Sequence, residues 1–206
     1  MEPEKTYQET CHEEVLRNAP SREQHLFELV TDGSGWDKDK AAIGSAWILQ
    51  ACPHVQDPEL QKLKWRGCSG ATAWTVQRAE LLALIGGLHA LASAFDMLSL
   101  AGLRSYLGKP LASVEAFPEA NRPLVWWVSD RETIVLQMAR RSDGTTYYER
   151  NKDMDLWCQL YWYERIFRVT PVYLSRNTTD AQKAVDEQAG NMREIFKEIV
   201  AGDKKP

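Results

Sequence analysis

A mixed five-stranded α/β sheet, a three-strand antiparallel meander joined to two parallel strands and flanked by helices, is the fold class this sequence predicts. Three observations predict it. Three strand-like runs follow one another in the first third of the chain with short breaks between them, as an antiparallel meander requires. Beyond them, segments of helical and of strand-like spacing alternate, as crossover connections to parallel strands require. The run Leu124-Val125-Trp126-Trp127-Val128, wholly apolar and bounded by Pro123 and Asp130, suits a strand buried on both faces of a central sheet.

Residues 1–24 are polar and acid-rich with little periodicity, which marks an extension outside the core. Residues 26–31 form the first run, which stops at Asp32-Gly33-Ser34-Gly35; a second run covers 41–49, so the pair signals a hairpin. A third run, about 63–75, gives way to helical spacing at Leu81, Leu84, Ile85, Leu88 and Leu91. Residues 93–123 form an insertion, helical in its first half, where Pro110, Pro118 and Pro123 then interrupt the chain. A short helix starts at 134–138. Leu156, Leu160, Tyr163 and Phe167 fall at helical spacing, residues 169–174 form the last strand, and Val185, Ala189, Met192, Phe196 and Ile199 mark the stripe of a final helix. The expected organisation is one domain over 25–200, with a polar N-terminal extension before it and a polar tail, 201–206, after it.

Composition bounds the function. Of the 206 residues 44% are hydrophobic, enough for a substantial core. No apolar stretch approaches the roughly 20 residues of a membrane helix, and no basic-then-apolar leader opens the chain, so a cytoplasmic protein without a membrane partner is expected. Cys11, Cys52, Cys68 and Cys158 show no CxxC pair, which argues for free thiols rather than zinc or a disulfide framework. The net charge of −4 argues against coating nucleic acid by bulk positive potential. Any such surface must be local, and the small clusters Arg140, Arg141 and Lys62, Lys64, Arg66 read first as solvated faces.

Acidic residues sit where an acid is expensive. Asp32 and Asp130 each end an apolar strand, at the edge where open α/β sheets place ligands. Glu80 lies one turn before Leu84 and two before Leu88, so it projects from the sheet-facing stripe; Asp186 borders the stripe of the last helix. Two carboxylates about 4 Å apart at an effective dielectric near 20 repel by on the order of 4 kcal/mol. Hard oxygen ligands in a group of three or four suit Mg²⁺ or Mn²⁺ better than shared protons do. Taken singly, each has a plainer reading: Asp32-Gly33-Ser34-Gly35 as a turn, Glu80 as a helix-start acid, Ser129-Asp130 as a cap, Asp186 as a surface residue. Their joint occurrence, each at an element boundary, carries the functional reading.

In that order the residues match a family. Thr31-Asp32-Gly33-Ser34, Arg78-Ala79-Glu80-Leu81, Val128-Ser129-Asp130 and Ala184-Val185-Asp186-Glu187-Gln188-Ala189 resemble the successive motifs of ribonuclease H over about residues 26–192, and the segment from Asn151 to Trp157 is similar to the start of its penultimate long helix. The resemblance implies a type 1-like ribonuclease H-like fold and hydrolysis of the RNA strand of RNA–DNA hybrids. It implies two Mg²⁺ (or Mn²⁺) ions held by the catalytic residues Asp32, Glu80, Asp130 and Asp186. It further implies substrate contacts at Gly33, Ser34, Gln77 and Arg131, with the Gln77 amide reading the minor groove through 2′-hydroxyls.

The chain departs from that pattern in places. Arg131 and Glu132 stand where small or amide side chains are usual, and no histidine follows His89, so the family's mobile histidine is absent from the loop before Asp186. Tyr147, Tyr148, Trp157, Tyr161, Trp162 and Tyr163 read first as packing rather than as base-stacking platforms. Two alternatives stay open: a Holliday-junction resolvase or other ribonuclease H-like nuclease such as a 3′–5′ exonuclease, and a catalytically silent module of the same fold that binds protein or nucleic acid.

Overall fold

The computed structural model describes residues 22–35, 42–72, 75–97, 122–142 and 153–202. Most of the expected insertion, Cys11, Tyr147 and Tyr148 lie outside them. Five strands, β1 (Phe27–Gly35), β2 (Ile43–Ala51), β3 (Lys64–Ala71), β4 (Leu124–Ser129) and β5 (Arg168–Tyr173), form one sheet in the order β3-β2-β1-β4-β5. β1, β2 and β3 pair antiparallel, whereas β4 lies parallel to β1 and β5 parallel to β4. This is the expected meander and parallel pair.

A single helical turn that the sequence reading did not include, α1 (Pro58–Gln61), precedes β3; the other helices, α2 (Val76–Met97), α3 (Glu132–Ser142), α4 (Met154–Glu164) and α5 (Asp180–Gly202), follow the predicted order. Alternation along the strands divides the core into two layers. Leu29, Leu49, Val125 and Trp127 point to one side, where they meet Leu81, Leu84 and Leu88 of α2, Ile134 and Met138 of α3, and Leu156 and Leu160 of α4. Val30, Ala46, Ile48, Val128 and Val172 point to the other, where Val185 and Ala189 of α5 cover them. β4 is thus buried on both faces, which explains its unbroken apolar run.

Three local expectations change. The first strand does not stop at Asp32: its ladder with β2 continues from Asp32↔Ala46 to Gly35↔Ile43. The glycines that suggested a turn instead admit neighbours. A Cβ on Gly33 would lie 2.5 Å from the backbone nitrogen of Glu80, and one on Gly35 would lie 3.1 Å from Ile43 Cγ2. On α4, Trp157 and Tyr163 are core residues, but Tyr161 and Trp162 are more than half exposed, because a helix packed along one side buries only one stripe. On α5 full burial ends at Ala189: Met192 and Phe196 of the expected stripe are only partly buried, Phe196 lying against Gly70 of β3, and Ile199 is half exposed.

Candidate metal centre

The parallel pairing of β1 and β4 ends at Val30↔Val128. Asp32 and Asp130 each lie two residues further on, so topology sets them side by side at one rim of the sheet. Glu80 reaches the same rim from α2, on the opposite face from α5. It can do so because Gly33 lets the helix backbone at Ala79 and Glu80 approach the strand. One carboxylate oxygen from each of Asp32, Glu80 and Asp130 lies within 4.8 Å of the other two. Glu80 is buried, and the Ser129 hydroxyl donates to its Oε2 at 3.4 Å while accepting from the Arg131 N–H at 3.0 Å. Behind them, Trp127 Nε1 donates to Thr31 Oγ1 at 2.9 Å and fixes the floor of the rim.

Burial and crowding make these acids reluctant to ionise. The Asp32 carboxyl is pushed up to about 7, first by loss of water, then by the charges of Asp130 and Asp186; Arg176 and the Gly33 N–H act against that. Burial, reinforced by Asp32 and Asp130, holds Glu80 well above the ordinary glutamate range. Asp130 is raised as well, by burial and then by Asp186, with Arg176 opposing. Asp32 is only 6% exposed, and its Oδ2 is buried without a hydrogen-bond donor among the described residues. A buried carboxylate oxygen with no donor, beside two further carboxylates, calls for a positive charge from outside the protein. The donor set is all oxygen, which fits Mg²⁺ or Mn²⁺ rather than a soft metal.

The fourth acid stands apart from this trio. Asp186, on the first turns of α5, lines a small open cleft together with Asp32, Asp130, Arg176, Asn177 and Gln182, but its carboxylate receives the Arg176 guanidinium. Arg176 Nε also lies 3.9 Å from Asp130 Oδ2. Arg176 was not singled out in the sequence; the available signal was its place in the loop between β5 and α5, ten residues before Asp186. Of the residues implied as substrate contacts, Gly33 faces α2, and Ser34 Oγ accepts from Arg193 Nη1 of α5 at 3.1 Å. Arg131 is exposed beside Asp130, and Gln77 Nε2 lies 3.4 Å from Gln137 Oε1 of α3. A further positioning contact was missed. Arg78, two residues before Glu80, pairs with Asp153 at 3.2 Å and with Asp155 at 2.5 Å and ties the start of α2 to the start of α4.

No family model matches the sequence, and no curated protein matches it. Solved structures do. The chain is similar to the N-terminal RNase H domain of a Mycobacterium tuberculosis protein, at 14% identity and a TM-score of 0.53 over 83% of this chain and 96% of that one. It is similar to LC11-RNase H1 from compost, solved with an RNA/DNA hybrid, at 17% identity and a TM-score of 0.52 over 82% of this chain and 97% of that one. LC9-RNase H1, described as a type 1 RNase H with the type 2 active-site motif, aligns at 15% identity and a TM-score of 0.56 over 87% of this chain and 75% of that one. At such identities the likeness establishes the fold, and the fold is ribonuclease H-like.

Proposed function

We propose, from a ribonuclease H-like fold with this acid cluster on its sheet rim, that the chain is a metal-dependent endonuclease hydrolysing the RNA strand of RNA–DNA hybrids. The observation that carries the reading is the convergence of Asp32, Glu80 and Asp130, together with an Asp32 Oδ2 that is buried without a hydrogen-bond donor among the described residues. The hybrid bound by LC11-RNase H1 supports the substrate class.

On this reading Asp32, Glu80, Asp130 and Asp186 hold two Mg²⁺ or Mn²⁺ ions. Such a pair, when bound, activates a water and stabilises the leaving oxygen of a phosphodiester, so no nucleophilic side chain is needed. The chain's own work is positioning. Gly33 keeps α2 close enough for Glu80 to reach the rim, and Ser129 orients the Glu80 carboxylate from below. Arg131 and Ser34 flank the rim as candidate phosphate contacts, and the Gln77 amide, at the start of α2, is the candidate reader of 2′-hydroxyls. The free thiols of Cys52, Cys68 and Cys158 support a cytoplasmic setting. No described helix is long and apolar enough to cross a membrane.

The deciding experiment is cleavage of a labelled RNA–DNA hybrid, beside duplex RNA, duplex DNA and a four-way junction, in Mg²⁺ and in Mn²⁺, by wild type and Asp130→Asn. RNA cleavage confined to the hybrid and lost in the variant supports the proposal; junction cleavage moves the protein to the resolvases. One observation favours a second reading, a catalytically silent module: Arg176 already supplies a positive charge to Asp130 and Asp186. A folded protein that binds hybrid but cleaves none of the four substrates would establish that reading.

A further inference from the structure

The four acids are not neutralised alike. Asp32 and Glu80 are buried with no cationic side chain in ion-pair contact among the described residues. Asp130 and Asp186, whose side chains are 20% and 30% exposed, share the guanidinium of Arg176, which pairs with Asp186 and stands 3.9 Å from Asp130. Arg176 itself is 65% exposed, so it can leave for water at little cost.

Its aim is built by the fold. Gln182, only 5% exposed, accepts from the Thr179 N–H at 3.1 Å and donates to the carbonyls of Leu174 at 3.2 Å and Ser175 at 3.3 Å, which holds both ends of the loop. The Thr178 hydroxyl donates to the Ser175 carbonyl at 2.6 Å. Asn177 turns the chain with a φ of 59°, a left-handed conformation that asparagine tolerates better than most residues. The backbone that carries Arg176 is therefore shaped by contacts independent of the ion pair.

We propose that Arg176 is a tethered counter-cation that competes with a divalent cation for Asp130 and Asp186. This rests on the reading of the rim as a metal centre. A cation arriving at the exposed pair of acids must displace the guanidinium, whereas the buried pair offers no such competitor. The consequence is two unequal affinities, the weaker on the Asp186 side, set by how firmly Arg176 holds.

The test is calorimetric titration of the metal-free full chain with Mn²⁺ in wild type, Arg176→Ala and Arg176→Lys, with thermal unfolding of each at zero and saturating Mn²⁺. A partly exposed charge pair is worth up to roughly a fivefold change in an equilibrium constant. The weaker Mn²⁺ affinity is expected to tighten by about that factor in Arg176→Ala and by less in Arg176→Lys. Arg176→Ala should also unfold at a lower temperature without metal, and saturating Mn²⁺ should erase the difference. A purely structural arginine would leave a deficit that Mn²⁺ does not repair. Equal or weaker Mn²⁺ binding in Arg176→Ala, or an unrepaired deficit, overturns the competition alone. If wild type and variant are both folded by circular dichroism and neither binds Mn²⁺, the metal-centre reading fails and the competition with it.

Discussion

Glu28 and Asp32 stand four residues apart on β1, on the same face of the same strand, and are almost equally buried, at 9% and 6% exposed. The fold treats them in opposite ways. At the lower end of the sheet, Glu28 receives Arg22 Nη2 at 2.5 Å and Gln50 Nε2 at 2.8 Å, and nearby His25 meets Thr170 Oγ1 at 2.8 Å and stands edge-on to Trp126. At the rim, Asp32 keeps an oxygen with no donor and two acids for neighbours. Burial is therefore not what distinguishes these two acids. The distinction is whether the fold supplies the compensating groups or leaves that to something that binds.

Catalysis should separate the two ends most sharply. Asp130→Asn at the rim is expected to lower hybrid cleavage by roughly a thousandfold, equivalent to about 4 kcal/mol of transition-state stabilisation. Glu28→Gln should leave the rate within about threefold of wild type, less than 1 kcal/mol on that scale. Comparable losses from both substitutions would break the comparison.

The response to pH sharpens it further. The Asp32 carboxyl titrates at about 7 in the folded protein against an ordinary value of 3.8, so between those limits the folded state binds more protons than the unfolded. Stability of the metal-free protein must then fall as pH rises through that window, by on the order of a few kcal/mol in all. Denaturant unfolding from pH 4 to pH 8 with a chelator would measure it. Asp32→Asn should flatten the slope, and saturating Mg²⁺ should offset the loss at the upper end. A metal-free stability that increases through the window would show that Asp32 is compensated within the fold after all.

Smaller effects concern how each end is built. Gly33→Ala forces a methyl to 2.5 Å from the Glu80 nitrogen, so a loss of about 1–3 kcal/mol is expected, read as a lower urea midpoint. Glu28→Ala, which strips Arg22 and Gln50 of their acceptor, should cost about 1–2 kcal/mol by the same measurement. That cost should not depend on Mg²⁺, because the lower end owes nothing to a bound ion.

Much of this could be read along the chain. The apolar run 124–128 announces a strand covered on both faces, and β4 is one. The spacing of Leu81, Leu84 and Leu88 shows which face of α2 meets the sheet, and so that Glu80 points inward; in the fold it is 1% exposed. Asp32-Gly33-Ser34-Gly35 was less legible. Glycines signal a turn and a close approach in the same way, and only the packing of α2 on β1 tells which. The exposure of Tyr161 and Trp162 was hidden for a related reason, since aromatic residues on adjacent faces of a helix look alike until the neighbouring layer is known.

The sequence by itself determined the order of the strands and long helices, the strand buried on both faces, and which acids stand at element ends, because periodicity and run length record burial one residue at a time. Tertiary structure alone decided which carboxylates come within 4.8 Å, which oxygen is left without a donor, and that Arg176 serves Asp186 and Asp130. Charge pairing depends on distances between residues far apart in the chain, and long polar side chains carry no periodic signature of their partners. A pattern can place an acid at the end of a strand, but what compensates it is settled only when the other elements arrive.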